Sequence, residues 1–308
     1  MTTVLYSHPD CLEHDTGHDH PESADRLRAV LQRVDGLHFP GLQRRRAPEA
    51  ARSHLTRVHD PDYVSRVFDA IPARGEAWIA PDVVVTPGSA LACLRAVGAA
   101  CAAVDEVKSG AARNVFCAVR PPGHHAGPHG SMGFCVFNNV AVAAAYARAR
   151  HGFRRVAIVD FDVHHGNGTQ SIFRHDPDVC FISVHQSMIF PMSGSSSDVG
   201  VGNILNVPLA RNTSAAAFRQ AVERTVLPRL RDFRPDLMFI SAGFDAHIRD
   251  PLGDLKLMTA DFHWLTAELM RVADAYCGGR LVSVLEGGYN PDALADACEA
   301  HLKALTGG

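Results

Sequence analysis

The stretch Val156–Gly168, VAIVDFDVHHGNG, begins as an apolar strand and then places two carboxylates and two imidazoles within six residues. Successive apolar side chains mark a strand covered on both faces. Ionisable groups crowded at its end need a ligand or one another. If the backbone stays extended through Asp160, Asp162 and His164, the period of two sends their side chains to one side. Asp162 and His164 are then natural joint ligands of one cation, and Asp245, just past the FISAGF run, is the best-placed third. Two oxygens, one nitrogen and an open position describe a catalytic zinc site, although Fe(II), Co(II) and Mn(II) accept similar ligands. The alternative for the same residues is a buried hydrogen-bond network or a helix cap. A second HH pair, His124–His125, favours the metal. A two-metal site would want a further Asp where Gly166 stands, so one catalytic ion is expected.

Similar apolar runs recur along the chain: TVLYS, NVFCAV, VCFISVH, NILNVPL, LMFISAGF and LVSVLEGG. Between many of them lie Ala/Leu-rich stretches of helical length, such as VAVAAAYARAR and AAAFRQAVERTVLPRLRDF. That alternation predicts an α/β fold with a central parallel sheet and helices on both faces. Ser23 is a predicted N-cap, with Leu27, Val30 and Leu31 following at helical spacing. Ligands of open parallel sheets bind outside the carboxyl ends of the strands. The polar clusters RPPGHHAGPHGSMGFC, DFDVHHGNG, FDAHIRDPLG and EGGYN follow four of the runs and are expected to meet at one rim.

The 308 residues are 46% hydrophobic, enough for a large core, and no linker or repeat divides them. One domain spanning 1–308 is the simplest expectation. A formal charge of -3 gives no basic stripe for a nucleic-acid backbone. The N-terminus shows no signal-peptide pattern, and no run of eighteen apolar residues occurs, so the expectation is a cytoplasmic protein without a membrane span. Oligomeric state is not legible. The eight scattered cysteines read as reduced core residues, and Arg44–Arg46 as a solvated surface patch.

Taken in order, HDTGHDHPESADRL, HDPDYV, RPPGHHAGPHGSMGFCVFNN, DFDVHHGNGTQ, SAGFDAHIRDPLG and LEGGYN carry a signature that resembles the zinc-dependent histone deacetylase family, in particular its class II-like members. The resemblance covers nearly the whole chain and implies the arginase/deacetylase fold. It implies Asp162, His164 and Asp245 as zinc ligands, His124 and His125 as tandem catalytic histidines, and Tyr289 as the catalytic tyrosine. It also implies a structural potassium ion held around Asp160, Asp162, His164 and Ser183. Phe134 and Phe190 match the family's tunnel-wall aromatics, with Gly133 letting substrate pass close.

Amide hydrolysis needs a nucleophile, a polarised carbonyl and a proton for the departing amine. A bound divalent ion supplies the first and helps the second. His125 is the candidate general base, and His124 either its mostly positive electrostatic partner or the final proton donor. Asp160 would hold His124 and favour its charged form, while Asn167, where some relatives have Asp, would orient His125 without raising its pKa by charge. Tyr289 would donate to the developing oxyanion. Its presence argues against a silent acyl-lysine reader. The expected substrate is an acetylated lysine side chain; the alternative is an acetylpolyamine or another small acetylated amine. Leu252 stands where polyamine-specific relatives carry an acidic gatekeeper, which favours lysine, whereas Asp19 could add negative charge at the rim.

Overall fold

A computed structural model describes residues 2–307; the two end residues of the expected 1–308 domain lie outside these. Among the described residues ten strands form: β1 (Thr3–Ser7), β2 (Leu42–Arg46), β3 (Ala77–Ala80), β4 (Val83–Val85), β5 (Asn114–Cys117), β6 (Val156–Asp160), β7 (Val179–Gln186), β8 (Ile204–Leu209), β9 (Leu237–Ala242) and β10 (Leu281–Leu285). Eight of them make one sheet, ordered β2-β1-β5-β10-β9-β6-β7-β8, and every pairing in it is parallel. β5, β6, β7, β9 and β10 are buried along their whole length, as expected for a sheet with helices over both faces.

The helices Ser89–Ser109 and Asn139–His151 pack together and seat on the sheet, while Ala24–Asp35, Thr259–Tyr276 and Pro291–Thr306 pack together as a second group. Ser23 occupies the N-cap of Ala24–Asp35 with extended backbone, but its side chain makes no capping hydrogen bond. The stretch beginning AAAFRQ is interrupted by a π-helical turn at Val222–Val226. Among the described residues no helix is long and apolar enough to cross a membrane. All eight cysteines are buried free thiols.

Arg44–Arg46, read as a solvated surface patch, are exposed or partly exposed, and they form part of an unexpected edge strand, β2, paired in parallel with β1 from Thr3↔Leu42 to Ser7↔Arg46. Its charges are those of a protected edge: Arg44 pairs with Asp35 and Arg45 with Glu106. The antiparallel hairpin β3–β4 was also unforeseen, and its turn carries Asp82 toward the rim.

Candidate active site

Strand β6 ends at Asp160, and the chain then bends instead of running extended to His164. The expected alternation is therefore replaced by two side-chain-to-backbone turns. Asp160 Oδ1 accepts the Asp162 N–H (3.1 Å), and Asp162 Oδ1 accepts the His164 N–H (2.9 Å). These turns bring Asp162 and His164 together as extension would have done, by different geometry. Asp245 arrives from the end of β9, and its Oδ1 accepts the Val163 N–H at 2.8 Å.

His164 Nδ1 lies 3.1 Å from Asp162 Oδ1 and 3.2 Å from Asp245 Oδ2. One donor atom from each of the three buried residues falls within 4.8 Å of the others. The electrostatics fit a cation at this point. Burial and the neighbouring Asp162 charge push Asp245 up to about 8, whereas Asp162, despite burial, is held well below the usual carboxylate range by His124 and His164. Two buried carboxylates thus resist sharing negative charge unless positive charge lies between them. At Gly166 a Cβ would stand 2.1 Å from Asp160 Oδ2, so this backbone has no room there for a further liganding carboxylate.

His124 and His125 follow β5, with ring centroids 3.9 Å apart. His124 Nδ1–H donates to Asp160 Oδ2 (2.9 Å), and His125 Nδ1–H donates to Asn167 Oδ1 (2.7 Å). Burial would lower His124, but the Asp160 and Asp162 carboxylates override it and hold the imidazole well above its usual value. Burial and the adjacent His124 charge push His125 well below the usual imidazole value. The pair is therefore split into one charged and one neutral ring.

Tyr289 closes the far side. Its backbone N–H donates to Asp250 Oδ2 (2.6 Å), its ring stands edge-on to Phe134 at 5.8 Å, and the Arg26 guanidinium lies 4.9 Å from its ring centre. Burial and the Asp162 charge raise its pKa well above the ordinary phenol value, which keeps the hydroxyl a donor. A cavity of about 300 Å³ is lined by Asp82, His125, Gly133, Phe134, His164, Ile189, Phe190, Leu252 and Tyr289. Larger surface hollows beside Arg57 and Trp78, about 690 and 650 Å³, contain none of these convergent groups. Phe190 stands edge-on to His125 at 5.1 Å, opposite the Phe134–Tyr289 wall.

Gly133, which lines the cavity, has a further reason to lack a side chain. At φ +56 its Cβ would lie 2.3 Å from His125 Cδ2 and 2.9 Å from Phe190 Cε1. The missing side chain makes room for the tunnel wall itself. Asp19 is fully exposed and paired only with His18; the acid lining the cavity is Asp82, whose carboxylate accepts the Gly133 N–H at 2.9 Å. No motif flags Asp82, because it lies on a short hairpin far away in sequence.

Sequence reasoning also missed the supports. Glu286 Oε2 accepts the Gly123 and His124 N–H groups at 2.6 and 3.1 Å, fixing the turn that presents the histidine pair. Glu22, wholly buried, takes both Arg120 (2.5 and 2.7 Å) and Arg26 (2.9 Å). Arg26 then donates to the carbonyls of Gly288 and Glu286, both at 2.5 Å, clamping the segment that carries Tyr289. Glu22 and Arg26 stand four apart in one motif and Arg120 opens another, the one sequence hint of this network. Ser183 lies beside Asp160 in register. Its hydroxyl meets His185 Nδ1 at 2.9 Å while His185 Nε2–H reaches the Gly194 carbonyl, so the Ser183 proton is committed and its lone pairs are not.

The histone deacetylase domain profile matches residues 20–305. The histone deacetylase-like amidohydrolase of Pseudomonas aeruginosa is 44% identical over 89% of this chain and 73% of its own length. The chloroplastic histone deacetylase 14 of Arabidopsis thaliana is 38% identical over 99% and 77%. Type-2 histone deacetylase 2 of Dictyostelium discoideum is 36% identical, but the chain spans only 21% of that longer protein. The solved HDA15 HD domain superposes with a TM-score of 0.94 at 35% identity, covering 99% of this chain and 88% of that one. With the parallel sheet and the convergent Asp, His and Tyr residues at its carboxyl rim, these matches establish that the chain belongs to the histone deacetylase family.

Proposed function

We propose that the protein is a zinc-dependent deacetylase that hydrolyses the acetyl amide of a lysine ε-amine. The observation carrying this reading is that His125, His164 and Tyr289 line one largely apolar cavity, with Asp162 and Asp245 grouped around His164 and His124 beside His125. The Asp162–His164–Asp245 donor set suits one divalent ion, and zinc is the first choice for it, with Fe2+ or Co2+ as substitutes. When bound, that ion supplies Lewis acidity toward a carbonyl and lowers the pKa of a water.

The chain's own groups do the rest. His125, its Nδ1 proton held by Asn167, offers a free Nε2 to accept a proton from the attacking water and return it to the departing amine. His124, kept protonated by Asp160, contributes positive charge beside it. The Tyr289 hydroxyl donates to the oxygen that gains charge as the carbonyl becomes tetrahedral. Phe134, Phe190 and Leu252 exclude water from the methylene stem. Asp160, Asp162 and His164, with the uncommitted lone pairs of Ser183, are the proposed seat of the structural potassium ion. The reading includes a single deacetylase domain, a cytoplasmic setting and no direct nucleic-acid contact.

Asp82 favours one second reading. A carboxylate at the cavity gives a cationic chain a partner, which suits an acetylpolyamine even though Leu252 is apolar. The test is steady-state kcat/KM of the zinc-loaded protein on an acetyl-lysine peptide and on acetylputrescine, side by side. Preference for the peptide supports the first reading; preference for acetylputrescine replaces it with the second.

A further inference from the structure

An asparagine that orients a catalytic imidazole has a problem an aspartate does not. Its carboxamide has two ends of nearly equal shape, one accepting and one donating. With Oδ1 toward His125 Nδ1, that nitrogen carries the proton and Nε2 keeps its lone pair. With Nδ2 turned there instead, Nδ1 must accept, the proton moves to Nε2, and the ring is useless as a base. The partner at the other end of the amide decides between the two. Asn167 Nδ2 lies 3.4 Å from Met132 Sδ, while Asn167 Oδ1 takes the His125 proton at 2.7 Å. A thioether accepts and never donates. Water in its place could do either and would choose neither orientation.

We propose that Met132 is a positioning residue: its sulfur accepts from Asn167 Nδ2, fixes the carboxamide orientation, and so sets the tautomer of His125. The proposal rests on the reading of His125 as the base. Met132 is held for this task by its own backbone, which pairs with Cys135 in both directions at 3.3 and 2.9 Å. Those bonds flank Gly133 and Phe134, so one short loop supplies the tunnel wall and the orienting sulfur. Met132 is 38% exposed, so replacing it leaves no closed void.

The test uses Met132→Leu, which removes the acceptor at nearly constant volume. Side-chain 15N shifts of His125 in the zinc-loaded wild type are expected to show a protonated Nδ1 and an unprotonated Nε2; in Met132→Leu they are expected to show a mixture. A wild-type ring protonated at Nε2, or an unchanged ring in the variant, overturns the proposal. In parallel, Met132→Leu is expected to lower kcat about three- to ten-fold with KM unchanged when residue 167 is Asn, and by less than about two-fold in the Asn167→Asp background, where no amide needs orienting. Equal losses in both backgrounds, or a change in KM alone, would make Met132 a packing or substrate contact. A wild type without amide turnover sinks the deacetylase reading, while the tautomer measurement still judges this proposal.

Discussion

Gly133→Ala places one methyl group where the structure has least room for it. The added Cβ would stand 2.3 Å from His125 Cδ2 and 2.9 Å from Phe190 Cε1, against an ordinary contact near 3.4 Å. Phe190 is partly exposed and can swing away. His125 cannot yield so easily, because its Nδ1 is tied to Asn167 and its ring centre lies only 3.9 Å from that of His124. The imidazole must therefore shift by about 1 Å, a displacement of the size that costs about 100-fold in rate when it moves a catalytic group. The backbone at φ +56 adds about 1 kcal/mol of strain for any residue with a Cβ, and overpacking adds about 1–3 kcal/mol. Together these predict a loss of about 2–4 kcal/mol, or about 3–6 °C in Tm for a chain this long. The assay is kcat/KM on an acetyl-lysine peptide beside a thermal melt. A folded variant with wild-type turnover would refute the argument that Gly133 exists to seat His125.

Further outcomes are expected. Asp162→Ala and Asp245→Ala should each abolish stoichiometric metal retention, measured by elemental analysis after gel filtration; a variant keeping one tight ion and full activity refutes the ligand assignment. Tyr289→Phe should keep fold and metal content while lowering kcat by one to three orders of magnitude, roughly the loss of an oxyanion donor; unchanged turnover removes Tyr289 from the chemistry. Burial depresses His301 to about 3 and His59 to about 4. Both fold neutral, so their contribution is intact above the unfolded value near 6.5 and is lost as pH falls toward 4, where the unfolded chain binds protons that the native one refuses. Denaturant melts should show stability falling through that window, and His301→Gln should reduce the slope by about 1.4 kcal/mol per pH unit; an unaltered slope would show that His301 titrates normally.

The strands that carry the site were legible because each is a short apolar run ending in chemistry: β6 ends in Asp160, β9 leads to Asp245 and β10 to Tyr289. Apolar periodicity cannot reveal an edge strand made of LQRRR, whose residues are all exposed or only partly buried. Nor could it foresee the bend after Asp160, because the turn is held by side-chain oxygens competing for backbone N–H groups. Asp82, Glu286, Arg26 and Met132 escaped for another reason. Each acts through a partner far away in sequence, and only folding brings them together.

The strand order has a consequence for biosynthesis. β10 lies between β5 and β9, so the latest made of these eight strands is inserted into the middle of the sheet. Until it arrives, β5 and β9 face an empty slot, and Arg26 waits for carbonyls 260 and 262 residues downstream. A nascent chain stalled before residue 281 therefore carries every expected metal ligand yet lacks Tyr289 and the central strand. The proposed oxyanion donor and the strand that positions it therefore join the site together, after the expected metal ligands have been made.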